Sequence, residues 1–434
     1  MLCTHLKVIF ATLLLLLGAN SAASISLLRD PDIERGLREL AQPILKAAGI
    51  KNSTFQILVV NSPSLNAFVI DQNHIFIHSG LILKLSSAAQ LQAVIAHEAA
   101  HITNGHIARR ITNTRKAKIT STFGTLIAIA AAAGGQSTAG VGIALGTASS
   151  AGRILLAHTR DEESSADQSA IRYMQNANLN ANAMTEVFEK FEQQVNLRVE
   201  NQEPYARSHP LDRDRIRAAT RLTAMLPNYV TNPEHKYWFS RIYTKLSAFS
   251  YAPEWALNQP TSNINFELMR KAIANHRLGQ SEKAIDLISK LVALQPKDPY
   301  YWELKGQILL ENRRYSLAIK AYQTATKLDP NNPLILGGYG KALLTKNSQI
   351  NNIEALKILK EAQNLDGKDA VILHNLGEAF SRSGQNGQAA LAIAERYALQ
   401  GDMKNAVLQA KRADSILPRG SAAWQRAQDI IYHF

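Results

Sequence analysis

Short apolar runs and longer helical patterns alternate in the first half of the chain. Three runs have the length and the β-branched or aromatic content of strands, namely FQILVV (55–60), AFVI (67–70) and HIFIHSG (74–80). Stretches in which apolar residues recur at helical spacing accompany them. This mixture predicts that residues 24–225 form one compact α+β domain.

The pattern changes in residues 226–262. Helical spacing of apolar residues is confined there to a short stretch from Trp238 to Leu246. The rest of the segment is interrupted by Pro227, Pro233, Pro253 and Pro260. Because proline breaks helices and sheets, a linker with one short helix is predicted.

The remainder, residues 263–434, repeats one helical pattern. Its clearest unit is the 34-residue segment 299–332. The positions that the tetratricopeptide pattern gives to aromatic or small residues or to proline are occupied by Trp302, Gly306, Ala318, Tyr322, Ala325 and Pro330. Weaker units precede and follow it. Each helix pair leaves an apolar face that the next pair covers, so an all-α solenoid that binds protein segments is predicted.

Two segments bear on the location of the protein. Residues 1–23 combine Lys7, a short apolar run and small residues before Ser24, which predicts a cleaved secretory signal and a periplasmic mature chain. The single cysteine, Cys3, lies in this segment, so no disulfide framework is expected. An uncleaved anchor is the alternative, but the apolar run is short for a span of about 30 Å.

Residues 119–152 carry no charge and no histidine. Their glycine, alanine, serine and threonine content makes them only mildly hydrophobic, so a membrane span is disfavoured. A helix–Gly–helix hairpin packed on the domain is favoured, and peripheral contact with a membrane surface is the main alternative. The net charge of +13 would suit an anionic partner, but the basic residues are scattered, so nucleic-acid binding is not expected.

The helical segment 85–112 carries candidate metal chemistry. It begins with a capping box formed by Ser87 and Gln90 and contains the word HEAAH at 97–101. On a helix, His97 and His101 project from one face one turn apart, so both imidazoles can bind one zinc ion, and Glu98 can hold a metal-bound water. Two surface histidines are the alternative, but the apolar flanks predict burial, where such groups need partners.

A catalytic zinc needs a third protein ligand and one open position. The best candidate segment is HTRDEESSADQSAIRYM (158–174), in which Glu163 and Asp167 are four residues apart on one helix face. Acidic residues at helix starts are usually solvated, so neither carboxylate alone would indicate a ligand. Together with the first helix they complete a candidate site.

These motifs together resemble a known family. HEAAH and the spaced residues Arg160, Glu163, Ala166 and Asp167 are similar to the gluzincin metallopeptidases of the HtpX and CAAX prenyl protease type. The words NAF (66–68), SGL (79–81) and SHPLDRDRI (208–216) add to the resemblance. With the signal segment and the tetratricopeptide array, the likeness is to the BepA-like periplasmic branch and covers nearly the whole mature chain.

The resemblance implies a zincin-like α+β metallopeptidase domain with one Zn²⁺ per chain. It makes His97, His101 and Glu163 the zinc ligands and Glu98 the general base. It gives Asp167 the role of orienting a ligand histidine or donating a proton, and such a carboxylate fixes the imidazole tautomer. His106 is expected to point away from His101 on the helix and to have a supporting role.

Three further residues or segments receive expectations. His209, in the word SHP, is a candidate for stabilising an oxyanion or, in a resting enzyme, for closing the open zinc position, although a lone loop histidine is often a surface residue. Arg215 could pair with Asp167. Residues 74–80 are expected to form an edge strand to which an extended substrate adds, which predicts broad cleavage of unfolded or misassembled proteins.

Two functions fit these expectations. The first is a periplasmic zinc endopeptidase, associated with the outer membrane, that acts in quality control or assembly of envelope proteins and whose repeats bind substrates or assembly machinery. The second is a non-proteolytic chaperone or scaffold with a structural or autoinhibited zinc site. Glu98 favours the first, because a structural site has no need of a base. The sequence does not name the substrate or the partner.

Overall fold

A computed structural model of the chain describes residues 26–50, 55–109, 159–192, 203–227, 229 and 232–432. The expected signal segment and the uncharged segment 119–152 lie outside these residues. Within the described part, no helix has the length and apolar character needed to cross a membrane.

The N-terminal domain contains one four-stranded sheet. Its strands are β1 (Leu27–Leu28), β2 (Gln56–Val60), β3 (Ala67–Val69) and β4 (His74–His78), in the spatial order β1-β2-β4-β3. β4 runs parallel to β2 and antiparallel to β3. The three predicted strands are thereby confirmed.

The prediction that 74–80 form an edge strand is wrong. β4 lies inside the sheet, between β2 and β3, and all five of its residues are buried. A continuous apolar run is typical of such an inner strand, because both of its faces are covered. Ser79 already begins a helix. The outer strand on this side of the sheet is β3.

Helices surround this sheet. They are α1 (Pro31–Ala47), α2 (Ser79–Lys84), α3 (Ala88–Thr103), α4 (Arg160–Asn176), α5 (Ala183–Glu192), α6 (Pro204–Ser208) and α7 (Arg213–Ala224). Local chemistry fixes the starts of the two that matter most for the site. The Ser87 hydroxyl accepts the Gln90 N–H at the start of α3, and Thr159 and Glu162 form a capping box at the start of α4.

The helix α3 is the centre of the domain. Every residue from Gln90 to His101 is buried, and α1, α4 and α5 pack around it. The alanines at 96, 99 and 100 have no exposed surface, which lets neighbouring helices approach closely. A helix that is covered on all sides holds its polar side chains in fixed positions, and this is where the word HEAAH lies.

The segment predicted to be a linker is largely helical. Its main helix, α8, runs from Pro233 to Ser250 rather than from Trp238 to Leu246, and α9 (Pro253–Asn258) follows. Asn232 caps α8 and Pro233 takes a first-turn position, where proline needs no N–H partner. Because α8 packs against α1, α3 and the first helix of the repeats, it joins the two domains directly.

Ten helices form the C-terminal array in the described part of the chain. They are α10 (Ile264–Arg277), α11 (Ser281–Leu294), α12 (Pro299–Glu311), α13 (Tyr315–Leu328), α14 (Pro333–Leu344), α15 (Gln349–Leu365), α16 (Ala370–Arg382), α17 (Asn386–Leu399), α18 (Met403–Ile416) and α19 (Ala422–Tyr432). The Tyr322 ring fills the space that two glycines leave, since a Cβ at Gly306 or Gly338 would come within 2.7 or 2.5 Å of it. The predicted all-α solenoid is confirmed.

Buried ion pairs connect the two domains. Arg241 of α8 lies 2.6 Å from an oxygen of Asp32 in the peptidase domain and 2.6 Å from one of Asp298 in the repeats. Lys245, one turn later, lies 2.8 Å from Asp30. The cluster is completed by Glu303 of α12, whose carboxylate is 3.9 Å from the Lys245 ammonium. We call these six residues the interdomain cluster.

A second bridge lies beside this cluster. Arg29 donates to Asp366 at 2.8 Å and to Asp369 at 3.1 Å, both in the repeats, and also pairs with Glu34. Since the arginine precedes α1, the bridge ties the segment before α1 to the loop between the third and fourth helix pairs of the solenoid.

Candidate metal centre

Two histidines of α3 face one point. The Nε2 atoms of His97 and His101 are 3.1 Å apart, and both side chains are buried. The spacing of four residues on a helix produces this arrangement, because one turn brings the two rings onto one face.

Glu163 enters from the first turns of α4. Its Oε1 lies 3.3 Å from His101 Nε2 and its Oε2 lies 3.4 Å from His97 Nε2. The capping box at Thr159 fixes the start of this helix and therefore the direction from which the carboxylate approaches. Glu163 is fully buried.

His209, directly after α6, completes the group. Its Nδ1 is 3.0 Å from Glu163 Oε1 and 3.3 Å from His97 Nε2. The ring packs on Tyr205, with 4.6 Å between the ring centroids. One ligand atom from each of His97, His101, Glu163 and His209 lies within 4.8 Å of the others. The structure thus brings together all four residues predicted to bind a metal.

The hydrogen bonds behind this group show what kind of ligand it suits. His209 Nε2 donates to the Ala67 carbonyl at 3.1 Å, so in the neutral ring Nδ1 carries a lone pair. His97 Nδ1 lies 3.0 Å from Asp167 Oδ1, which leaves the lone pair of His97 on Nε2. These lone pairs point at the Glu163 carboxylate, so hydrogen-bond acceptors face one another. Neutral rings have no further proton to place between them, whereas a bound cation would satisfy all of these acceptors.

The distances also fit a metal ion. A tetrahedral zinc with bonds of about 2.0–2.1 Å holds its ligand atoms about 3.3 Å apart. Five contacts among the four groups range from 3.0 to 3.4 Å, and all four ligand atoms lie within 4.8 Å of one another. Three imidazole nitrogens and one carboxylate oxygen are a donor set that zinc accepts.

Glu98 is adjacent to this group but not part of it. It is fully buried, and its Oε1 lies 3.4 Å from His209 Nε2. One residue beyond His97, it is rotated about 100° around the helix and so faces the side of the group that His209 covers. Glu98 thus lies beside the four converging atoms without being one of them.

Asp167 and Arg215 support the centre from behind. Arg215 donates two hydrogen bonds to Asp167, of 2.8 and 2.9 Å, so the predicted ion pair is present. It also contacts Glu163 Oε2 at 2.7 Å and donates to the Pro210 carbonyl at 2.8 Å. One guanidinium therefore fixes Glu163, Asp167 and the loop that carries His209.

The electrostatics favour positive charge at this point. Burial alone would raise the pKa of Glu163, but His209 and Arg215 hold it well below its ordinary range. Burial lowers the pKa of His97, yet its bonds to Asp167 and Glu163 outweigh burial and raise that pKa to about 10. Glu163 therefore stays ionised and attracts a cation.

His106 lies where the sequence did not predict it. Its Nδ1 is 2.8 Å from His101 Nδ1, so it contacts the far side of that ring instead of pointing away. The helical projection failed because α3 ends at Thr103 and Gly105 adopts a φ of 70°, which turns the chain back. Gly105 was the residue in the sequence that could have predicted the end of the helix before His106.

The sequence analysis also gave no role to Asn66 and Ala67. Ala67 supplies the carbonyl that holds His209, and Asn66 Oδ1 accepts from the Ser208 hydroxyl at 3.2 Å. The segments NAF (66–68) and SHP (208–210) are therefore in contact. Arg160, by contrast, is exposed and lies 3.8 Å from Asp212, outside the centre.

Comparison with known proteins follows the same division of the chain. Residues 27–223 match Peptidase family M48, and residues 287–395 match the tetratricopeptide domain of cytochrome c-type biogenesis protein H. The beta-barrel assembly-enhancing protease of Escherichia coli is 25% identical over 412 residues, which cover 92% of this chain and 82% of that protein. A relative from Vibrio cholerae is 26% identical over 412 residues, covering 92% and 83%. The mitochondrial metalloendopeptidase OMA1 of Arabidopsis thaliana is 29% identical over 85 residues, covering 20% and 18%.

Proposed function

We propose a function for this chain from its identity as a metalloendopeptidase of Peptidase family M48 with a C-terminal tetratricopeptide repeat domain. It is a periplasmic zinc endopeptidase, associated with the outer membrane, that hydrolyses unfolded or misassembled envelope proteins. Its repeats bind these substrates or the machinery that assembles them. The names of the relatives from Escherichia coli and Yersinia pestis support this setting, because both are called beta-barrel assembly-enhancing proteases.

The observation that carries the activity is the convergence of four metal-binding atoms beside Glu98. His97, His101 and Glu163 hold one Zn²⁺ per chain. When bound, zinc acidifies water and polarises a peptide carbonyl. Glu98 would act as the base that takes a proton from the attacking water and as the acid that gives it to the leaving amine. Asp167, held by Arg215, keeps the proton of His97 on Nδ1 and thereby keeps Nε2 free for the metal.

His209 defines a resting state. Its Nδ1 lies 3.0 Å from Glu163 Oε1 and would take the fourth position of a zinc ion bound there, and its Nε2–H is held by the Ala67 carbonyl. A catalytic zinc needs that position for water, so the side chain has to swing away before hydrolysis. This closed position also supports the second candidate, a chaperone or scaffold in which the protease is silent.

The test compares wild type with Glu98→Gln for zinc per chain and for cleavage of casein. We expect both proteins to hold one zinc, and the variant to cleave about 10²–10⁴-fold more slowly, the usual contribution of a general base. Equal cleavage by the two would rule out the assigned mechanism. A wild type that binds zinc but never cleaves would favour the chaperone.

A second arm examines the resting state. His209→Ala should raise cleavage if the side chain only closes the fourth position, and lower it if the imidazole also helps during hydrolysis. Zinc content measured on the same samples separates both results from a loss of metal.

A further inference from the structure

A groove separate from the metal centre lies along one side of α8. Its volume is about 690 Å³, enough for several amino-acid residues. The end of α2 forms one wall, α8 forms the floor, and the segment from Trp255 to Arg270 forms the other wall. We call it the α8 groove.

The charges of the α8 groove have one sign. Lys84, Lys236 and Arg270 line it, and no aspartate or glutamate is among its described lining residues. The larger cleft of about 890 Å³ between the two domains is different, because its lining contains charges of both signs, namely Arg29, Lys84 and Lys341 with Asp30, Glu303, Glu311 and Asp369. Positive and negative charges in the cleft thus balance one another, whereas the groove has positive charge that an anion can neutralise.

Arg270 is the central cation of the groove. It is 4% exposed, and its Nε is buried without a hydrogen-bond partner among the described residues. The nearest acid along α10, Glu267, is bonded to the Lys271 ammonium at 2.5 Å. A buried guanidinium nitrogen without an acceptor is costly, so its position in the wall of a groove points to a ligand that supplies one.

The walls beside Arg270 are aromatic. Tyr237 and Phe266 lie with 5.3 Å between their ring centroids, and Tyr243 and Trp255 line the same space. Such walls suit an apolar side chain next to the charged group. A ligand that fits has one negative charge and an apolar or aromatic part close to it.

We propose that the α8 groove binds the C-terminal carboxylate of a polypeptide whose last residue is aromatic or aliphatic. A guanidinium matches a carboxylate with paired hydrogen bonds, and one buried arginine balances its single charge. Side chains such as Thr244, Ser247 and Asn263 line the groove and can bond the main chain of the preceding residues. The inference concerns binding and is independent of hydrolysis at the metal centre.

The experiment measures binding of labelled hexapeptides to the full-length protein by fluorescence anisotropy. One peptide ends in phenylalanine with a free carboxylate, and the other is the same sequence with a terminal amide. Mass spectrometry verifies that both remain intact. The variants are Arg270→Gln and the neighbouring Lys271→Gln, which removes a positive charge outside the groove.

We expect the amidated peptide to bind wild type about tenfold or more weakly than the free acid. Arg270→Gln should abolish this preference, and Lys271→Gln should retain it. Equal binding of the two peptides to wild type would overturn the inference without any need for a variant. So would a preference that survives Arg270→Gln, or Arg270-dependent binding of phosphatidylglycerol vesicles without discrimination between the peptides. Casein cleavage by the same wild-type sample tests the proposed function separately.

Discussion

The candidate metal centre and the interdomain cluster are both built from buried charged side chains, but they balance their negative charge differently. In the interdomain cluster, Arg241 and Lys245 lie side by side with aspartates, and each pair is local. Four carboxyls share two cations there, and one of the two surplus carboxyls, Glu303, is balanced by a proton, since burial raises its pKa to about 8 although Lys245 opposes this shift.

At the metal centre the donor atoms converge on one point instead. His97, His101, Glu163 and His209 all direct acceptor atoms inward, and the nearby Arg215 is already engaged by carboxylates on the outer side. Convergence of acceptors marks a site for a cation, whereas side-by-side pairing marks a structural contact. Buried charge alone does not distinguish a cation site from a structural ion-pair contact. The arrangement of the acceptor atoms does.

The largest effect expected from this contrast is loss of the metal. Glu163→Ala removes one ligand and leaves Arg215 facing a gap, so zinc content should fall well below one per chain and cleavage by on the order of 10³-fold or more. Atomic emission and casein cleavage measure the two quantities. A variant with tight, stoichiometric zinc would show that Glu163 is not a ligand.

A substitution in the interdomain cluster should instead lower the stability of the fold. Lys245→Met removes the cation that pairs with the buried carboxylates of Asp30 and Asp32, so the free energy of unfolding should fall by about 3–5 kcal/mol. Zinc content should stay at the wild-type value. Urea unfolding followed by circular dichroism measures the change.

Lys271→Met is the matched control for that variant. Lys271 pairs with Glu267 one turn earlier on a half-exposed helix face, so its loss should cost no more than about 0.5 kcal/mol. Equal destabilisation by the two substitutions would contradict the role given to the interdomain cluster.

A smaller effect is expected behind the metal. Asp167→Asn weakens the hold on His97 and the bond to Arg215 without removing a ligand. Zinc affinity should fall by about 10–100-fold, the usual loss for a residue that orients a metal ligand. Competition with a fluorescent chelator gives the affinity. No change would mean that Asp167 acts in another way, for example as a proton donor.

The smallest expected effect is a pH dependence. Glu303 keeps its proton in the folded protein up to a pKa of about 8, whereas its ordinary value is 4.5. The folded state therefore binds more protons between these values, and its contribution to stability falls as the pH rises through that window. Glu303→Gln should flatten the slope of unfolding free energy against pH, and the half-exposed Glu267→Gln should not. An unchanged slope in Glu303→Gln would contradict the protonated state.

The parts of the fold that depend on local spacing could be predicted from the sequence. His97 and His101 are one helical turn apart, and the 34-residue period of the repeats sets which small residues meet. The roles of Glu163 and Asp167 required two motifs some 60 residues apart to be combined, which the family resemblance made possible.

Other features depend on how distant elements meet. The order of the strands decides that β4 is an inner strand, and the apolar run itself is compatible with either place. The interdomain cluster joins Asp30 to Lys245 and Glu303 through the packing of α8, and no motif links these positions. His106 was misplaced because one glycine ends the helix before it.

The bond from His209 to the Ala67 carbonyl has a consequence for how the enzyme distinguishes its substrates. Ala67 begins β3, an outer strand of the sheet, so the acceptor that holds His209 is also one that an added strand would pair with. Only a chain with unpaired backbone N–H groups can compete for it, and folded proteins have few of these. The His209 side chain would then leave the metal only when an unfolded main chain pairs with β3. Substrates would be selected because they are unfolded rather than because of their sequence.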